Sequence, residues 1–187
     1  MVSVHSSGAY GDDQSYAYAI NADGRYVAFY SYATNLVDAD TNGKSDVFVH
    51  DRQDGATTRV SVASNGTQGD NYSYSPAISA DGRYVTFYSY ATNLVDGDTN
   101  GFEDIFVHDR QSGATTRVSV ASNGAQGDND SDFCAISANG KYVTFDSMAT
   151  NLAVGNTNGT WDVYVRGPLT SFPWPMFLPA TTGAKPF

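Results

Sequence analysis

Apolar and polar positions alternate in short runs along the chain, and glycine and aspartate bound the runs. Residues 83–89, RYVTFYS, put Val85, Phe87 and Ser89 on one side and Tyr84, Thr86 and Tyr88 on the other. A period of two predicts a strand, here one with bulk on both faces. The run PAIS (76–79) precedes it across the turn ADG. DIFVHD (104–109) follows a polar loop, and TTRVSVA (115–121) follows the turn RQSG, so four strands are expected in succession. Asp-Gly or Asn-Gly between apolar runs marks a tight hairpin. Strands covered on both faces fit between other sheets better than beneath a wet surface.

The same pattern returns every 58 residues: Gly24, Gly82 and Gly140 are spaced so, as are Asn42, Asn100 and Asn158. Segments 24–63 and 82–121 are identical at 34 of 40 positions, while the third unit keeps the frame with more changes. The repeats run over about 2–59, 60–117 and 118–166, and so long a period implies stacked supersecondary units that share a core. The stretch ISADGRYVTFYS resembles the SPDGRYVAF signature of TolB-type, WD40-like (PD40) β-propeller repeats, over residues 1 to about 166. That resemblance implies an all-β array of three four-stranded blades. It implies no particular activity, because propellers host enzymes, lectins and scaffolds alike.

VSVHSSG at the start of the chain matches VSVASNG at 60–66, so Val2, Ser3, Val4 and His5 are expected to be a fourth strand lacking its own blade. WDVYVR (161–166) reads as a third strand lacking a fourth. Three blades are fewer than the four to eight of known propellers. The expectation is therefore completion by strand pairing between chains, with Val2–His5 as donor. The segment 167–187 breaks the repeat, and its Trp174, Met176, Phe177 and Leu178 are expected to dock on an adjoining subunit.

Between the second and third strands lies VDADTNGKSD, in which Asp38, Asp40, Asn42, the Lys44 carbonyl and Asp46 occupy loop positions one, three, five, seven and nine. An EF-hand begins with this spacing, yet Val49 stands where its bidentate glutamate belongs and a strand follows instead of a helix. The loop resembles the calcium loops of FG-GAP (integrin-like) propellers, which implies Ca²⁺ held by hard oxygen ligands. Asp96, Asp98, Asn100, the Phe102 carbonyl and Asp104 repeat it. In the third copy Val154 and Asn156 replace the first two carboxylates and only Asp162 remains, so that loop is expected to bind weakly or not at all.

Composition narrows the rest. Nineteen aspartates against one glutamate suit turns and oxygen-ligated sites, and thirteen tyrosines with ten phenylalanines suit strands. A net charge of −10 argues against nucleic acid or an anionic membrane surface as partner. No apolar run is long enough to span a bilayer. The single Cys134 forms no disulfide framework and is expected to be a small packed residue. The pairs His50–Asp51 and His108–Asp109 invite a catalytic reading, but adjacent strand residues point to opposite faces. Neither a nucleophile elbow nor a zinc spacing occurs, so no enzyme is expected. Tyr30, Tyr32, Tyr88 and Tyr90 offer rings for glycan stacking. The leading expectation is a secreted, extracellular or cell-surface structural protein, calcium-stabilised and self-assembling head to tail into a ring or filament. A lectin-like six-bladed dimer and a fragment of a larger surface protein or enzyme are the alternatives.

Overall fold

The structure, a computed structural model, describes residues 1–169. The first blade contains β1 (Ser15–Ile20), β2 (Tyr26–Ser31), β3 (Asp46–Asp51) and β4 (Thr57–Arg59). The second contains β5 (Ser73–Ile78), β6 (Tyr84–Ser89), β7 (Asp104–Asp109) and β8 (Ala114–Arg117). The third contains β9 (Ser131–Ile136), β10 (Val143–Ser147) and β11 (Asp162–Arg166). Each is an antiparallel meander in chain order, with four, four and three strands among the described residues. The inner strands β1, β5 and β9 are each bulged at the same place, and Ser75 and Phe133 take positive φ there.

The core lies between the blades. On the back of blade one, Ala28, Val47, Val49 and Val60 meet Val85, Phe87, Ala91, Leu94 and Phe106 on the front of blade two. The next junction repeats this, with Ile105, Val107 and Val118 against Val143, Phe145, Ala149 and Leu152. Buried apolar surface is thus shared between neighbours, as repeat stacking requires. Cys134 packs at the second junction, where burial pushes its thiol up to about 12.

A tyrosine locks each junction at the hairpin end. The ring of Tyr26 lies so close to Gly82 that a Cβ there would overlap it, and Tyr84 bears on Gly140 in the same way. Both glycines also take positive φ, 74° and 69°, so turn geometry and close approach each demand glycine. Arg110, whose Nη1 donates to the Gly82 carbonyl, also lies over Tyr26, with its guanidinium carbon 4.3 Å from the ring centroid. Backbone bonds bridge the same turns, Ala22 N–H to the Ala80 carbonyl at 3.2 Å and Ala80 N–H to the Ala138 carbonyl at 2.9 Å.

The fourth strand is shorter than the sequence pattern suggests. Val118 N–H still bonds the Ile105 carbonyl, but Ile105 N–H turns to the Ser119 hydroxyl at 3.1 Å, which ends the backbone ladder. The chain then forms a small connector hairpin closed by the Val120–Gln126 bridge, equivalent to Val62–Gln68 and Val4–Tyr10. Val2–His5 therefore lie in a connector that follows a fourth strand in the other units. Thr57 Oγ1 donates to the Val4 carbonyl, and Thr57 N–H donates to Ser6 Oγ. The side chains of Trp174, Met176, Phe177 and Leu178 lie outside the described residues.

Candidate functional site

Asp46 opens β3 and is fully buried, and it meets three donors. Ser61 Oγ bonds its Oδ1 at 2.5 Å, while Asn42 Nδ2 (2.9 Å) and Arg59 Nη1 (3.1 Å) bond its Oδ2. The same Arg59 nitrogen stands 3.2 Å from Oδ1 of Asp40, whose side chain is 2% exposed. That Asp40 oxygen has no well-aligned hydrogen bond. Burial and the charge of Asp46 push the Asp40 carboxyl up to about 6, against the pull of Arg59, and burial raises Asp46 too. Blade two repeats the arrangement: Arg117 Nη1 contacts Asp98 at 3.0 Å and Asp104 at 2.9 Å, and Ser119 bonds Asp104 at 2.5 Å.

The loops also bind the chain onward. Asn42 Nδ2 donates to the Gly69 carbonyl at 2.9 Å, Asn100 Nδ2 to the Gly127 carbonyl at 3.0 Å, and Gln68 bonds Thr41. Each acidic loop therefore fastens the connector that leads to the next blade. Lys44 reaches over the Tyr72 ring at 4.4 Å, and Phe102 N–H bonds Asn100 Oδ1.

The sequence-predicted ligands converge only in part. Asp40, Asn42 and Asp46 come together, as do Asp98, Asn100 and Asp104. Asp38 is turned wholly to solvent, with His5 Nε2 3.6 Å away. Among the described residues no three acidic, histidine or cysteine side chains form a metal-holding group. A guanidinium occupies the position between the two carboxylates, so the residues as arranged do not fit a calcium ion. To admit one, Arg59 would have to withdraw and Asp38 to turn inward. In the third loop Asn156 Nδ2 bonds Asp162 at 3.0 Å, and Val154 is exposed.

His50 and Asp51 face apart. His50 Nδ1 pairs with Thr57 Oγ1 at 2.9 Å, and Asp51 takes a bidentate bond from Arg25 that holds its carboxyl down at about 2. His108 pairs with Thr115, and burial lowers it to about 4. Tyr30 stacks on Tyr16 with centroids 4.9 Å apart and meets Tyr74 edge-on at 5.3 Å. Tyr32 contacts Tyr74, and Tyr74 contacts Tyr88. These rings spend their faces on one another along the first junction.

Sequence reasoning missed the counterpart of that row. In the third blade the columns of Tyr74 and Tyr88 become Asp132 and Asp146, cross-strand partners on β9 and β10. Burial, Asp146 and Asp130 push Asp132 up to about 6, and its Oδ1 is buried without a hydrogen-bond partner. Comparing the three repeats column by column would have exposed the exchange.

A putative TolB from Agrobacterium tumefaciens is similar in structure, with a TM-score of 0.52 and 18% identity over 82% of this chain and 46% of that one. A structure reported for two prolyl endopeptidases is similar with a TM-score of 0.50 and 20% identity, over 83% of this chain and 20% of that one. No family model matches the sequence, and no curated protein does. The likeness is one of fold: the three sheets are arranged as in part of a β-propeller, and the chain spans about half the length of the TolB protein.

Proposed function

We propose that this stretch of TolB-type propeller is a non-enzymatic structural module that joins further copies of itself, blade to blade. One observation carries the reading. Val163 and Val165 on β11 are 73% and 70% exposed, whereas their equivalents Val47, Val49, Ile105 and Val107 are fully buried against a following blade. Phe133 and Trp161 add to the exposed apolar groups of the third blade. Exposed strand residues whose counterparts are packed mark an interaction surface. Arg59 and Arg117 suit a scaffold role, since they neutralise the acidic loops from within. In this reading calcium would strengthen the array only by displacing them.

A second reading, one piece of a longer propeller, draws on the 46% span of the TolB protein. In it the same face meets another blade of the same polypeptide. Sedimentation velocity over a wide concentration range separates the two. Concentration-dependent oligomers, abolished by Val163→Asp with Val165→Asp, are expected. A full-length chain that stays monomeric at high concentration overturns the self-joining proposal.

A further inference from the structure

We infer that the contact between copies reproduces the internal junction in register, with Tyr142 of one copy seated on Gly24 of the next beneath Arg52. This rests on the self-joining reading and adds the geometry of the joint. The internal junction occurs twice, and each end of the array carries one half of it. At the outgoing end Tyr142, in register with Tyr26 and Tyr84, is 43% exposed. At the incoming end Gly24 takes φ +75°, and the nearest atoms to a Cβ there are Arg52 Nη1 at 3.6 Å and Ile20 Cδ1 at 3.8 Å. That seat has room for a ring, whereas the seats at Gly82 and Gly140 are filled by Tyr26 and Tyr84.

Arg52 is already set for the task. Its Nη1 donates to the Gly24 carbonyl at 2.7 Å, as Arg110 Nη1 donates to the Gly82 carbonyl at 2.6 Å while covering Tyr26. Ile20 on the incoming front is 58% exposed, while Ile78 and Ile136 pack against the junction clusters. Val163 and Val165 would therefore meet Ile20 and Val27, the counterparts of Ile78 and Val85. The Ala138 N–H would donate to the Ala22 carbonyl, which continues the ladder Ala22 to Ala80 to Ala138. The occupant is thus a second copy, because its front face matches a surface already packed twice within the chain.

The experiment uses the full chain and Gly24→Asn. Asparagine tolerates positive φ better than most residues, and the free chain has space for it, so the variant should keep the wild-type circular dichroism. Its side chain would occupy the tyrosine seat, and association should weaken at least tenfold. Tyr142→Ala, at an exposed site, should weaken association as well, and adding Gly24→Asn to it should have no further effect. A folded Gly24→Asn that associates like wild type, while the Val163 and Val165 variants do not associate, overturns the register but leaves self-joining intact. A monomeric wild-type chain overturns both. If a chain ending at Leu169 associates where the full chain does not, residues 170–187 cover the face and the inference is wrong.

Discussion

Arg59 and Arg117 each balance two buried carboxylates with one guanidinium, so removing either leaves like charges without a counter-ion. Arg59→Met should cost about 3 kcal/mol, the scale for breaking a buried pair. Wild-type melting should be the same in calcium and in chelator, whereas Arg59→Met should gain several degrees from millimolar calcium. If calcium raises wild-type melting as much as it raises the variant's, the ion displaces Arg59 and the internal-cation reading fails. The loop spacing was legible in the sequence, but the arginine was not, because it arrives from β4 nineteen positions after Asp40. A signal existed: Arg59 and Arg117 accompany the two full acidic loops, whereas the third unit, whose loop degenerates, stops short of the arginine column.

Protons give two further residue-scale tests with opposite signs. His108 is held neutral, so between its ordinary value near 6.5 and about 4 the unfolded chain binds more protons. Its contribution is complete above that window and is lost as pH falls through it, and His108→Gln should flatten the loss in urea midpoints taken at pH 4.5 and 7. Asp132 is raised to about 6, so the folded chain binds more protons below that value and the penalty grows as pH rises through it. Asp132→Asn should stabilise the protein at pH 7 by about 1 kcal/mol after solvent screening, with the gain gone near pH 4. A gain of equal size at both pH values would contradict this.

At the scale of elements, β3 and β7 fall where DVFVHD and DIFVHD put them, and every position in them is buried, the aspartates and histidines with polar partners of their own. The fourth strands were overread because alternation continues through VSVA after the ladder has ended. Ser61 and Ser119 stop it with a hydroxyl that serves a backbone N–H and an aspartate together, a role the hydropathy of serine does not reveal. Ser119→Ala should strand Ile105 N–H and one Asp104 oxygen at a cost of about 1–3 kcal/mol. A urea midpoint unchanged from wild type would show that water or a shifted strand takes over.

At the scale of the molecule, the 58-residue frame determined blade number and order before any contact was known. It could not give the depth of packing between blades, which depends on where rings and glycines meet. Gly82→Ala adds a clash with Tyr26 to the usual positive-φ strain, whereas Gly24→Ala adds strain alone. Gly82→Ala should therefore lower the melting temperature markedly more, and equal shifts would mean that Tyr26 swings aside at little cost.

The exchange of Tyr74 and Tyr88 for Asp132 and Asp146 bears on how such an array keeps count. Blades one and two are near copies, so a hairpin from one chain can replace its neighbour's counterpart with little penalty, a translational degeneracy that invites swapped and misregistered pairing. The third blade breaks that degeneracy. Moved to the first junction, it would put Asp132 where Tyr74 now meets Tyr30 and Tyr32, and those ring contacts would be lost. Its charge therefore marks the third blade as unlike the other two. Replacing Asp132 and Asp146 together by tyrosine should broaden the mass distribution of the assemblies measured by mass photometry, and an unchanged distribution would refute the mark.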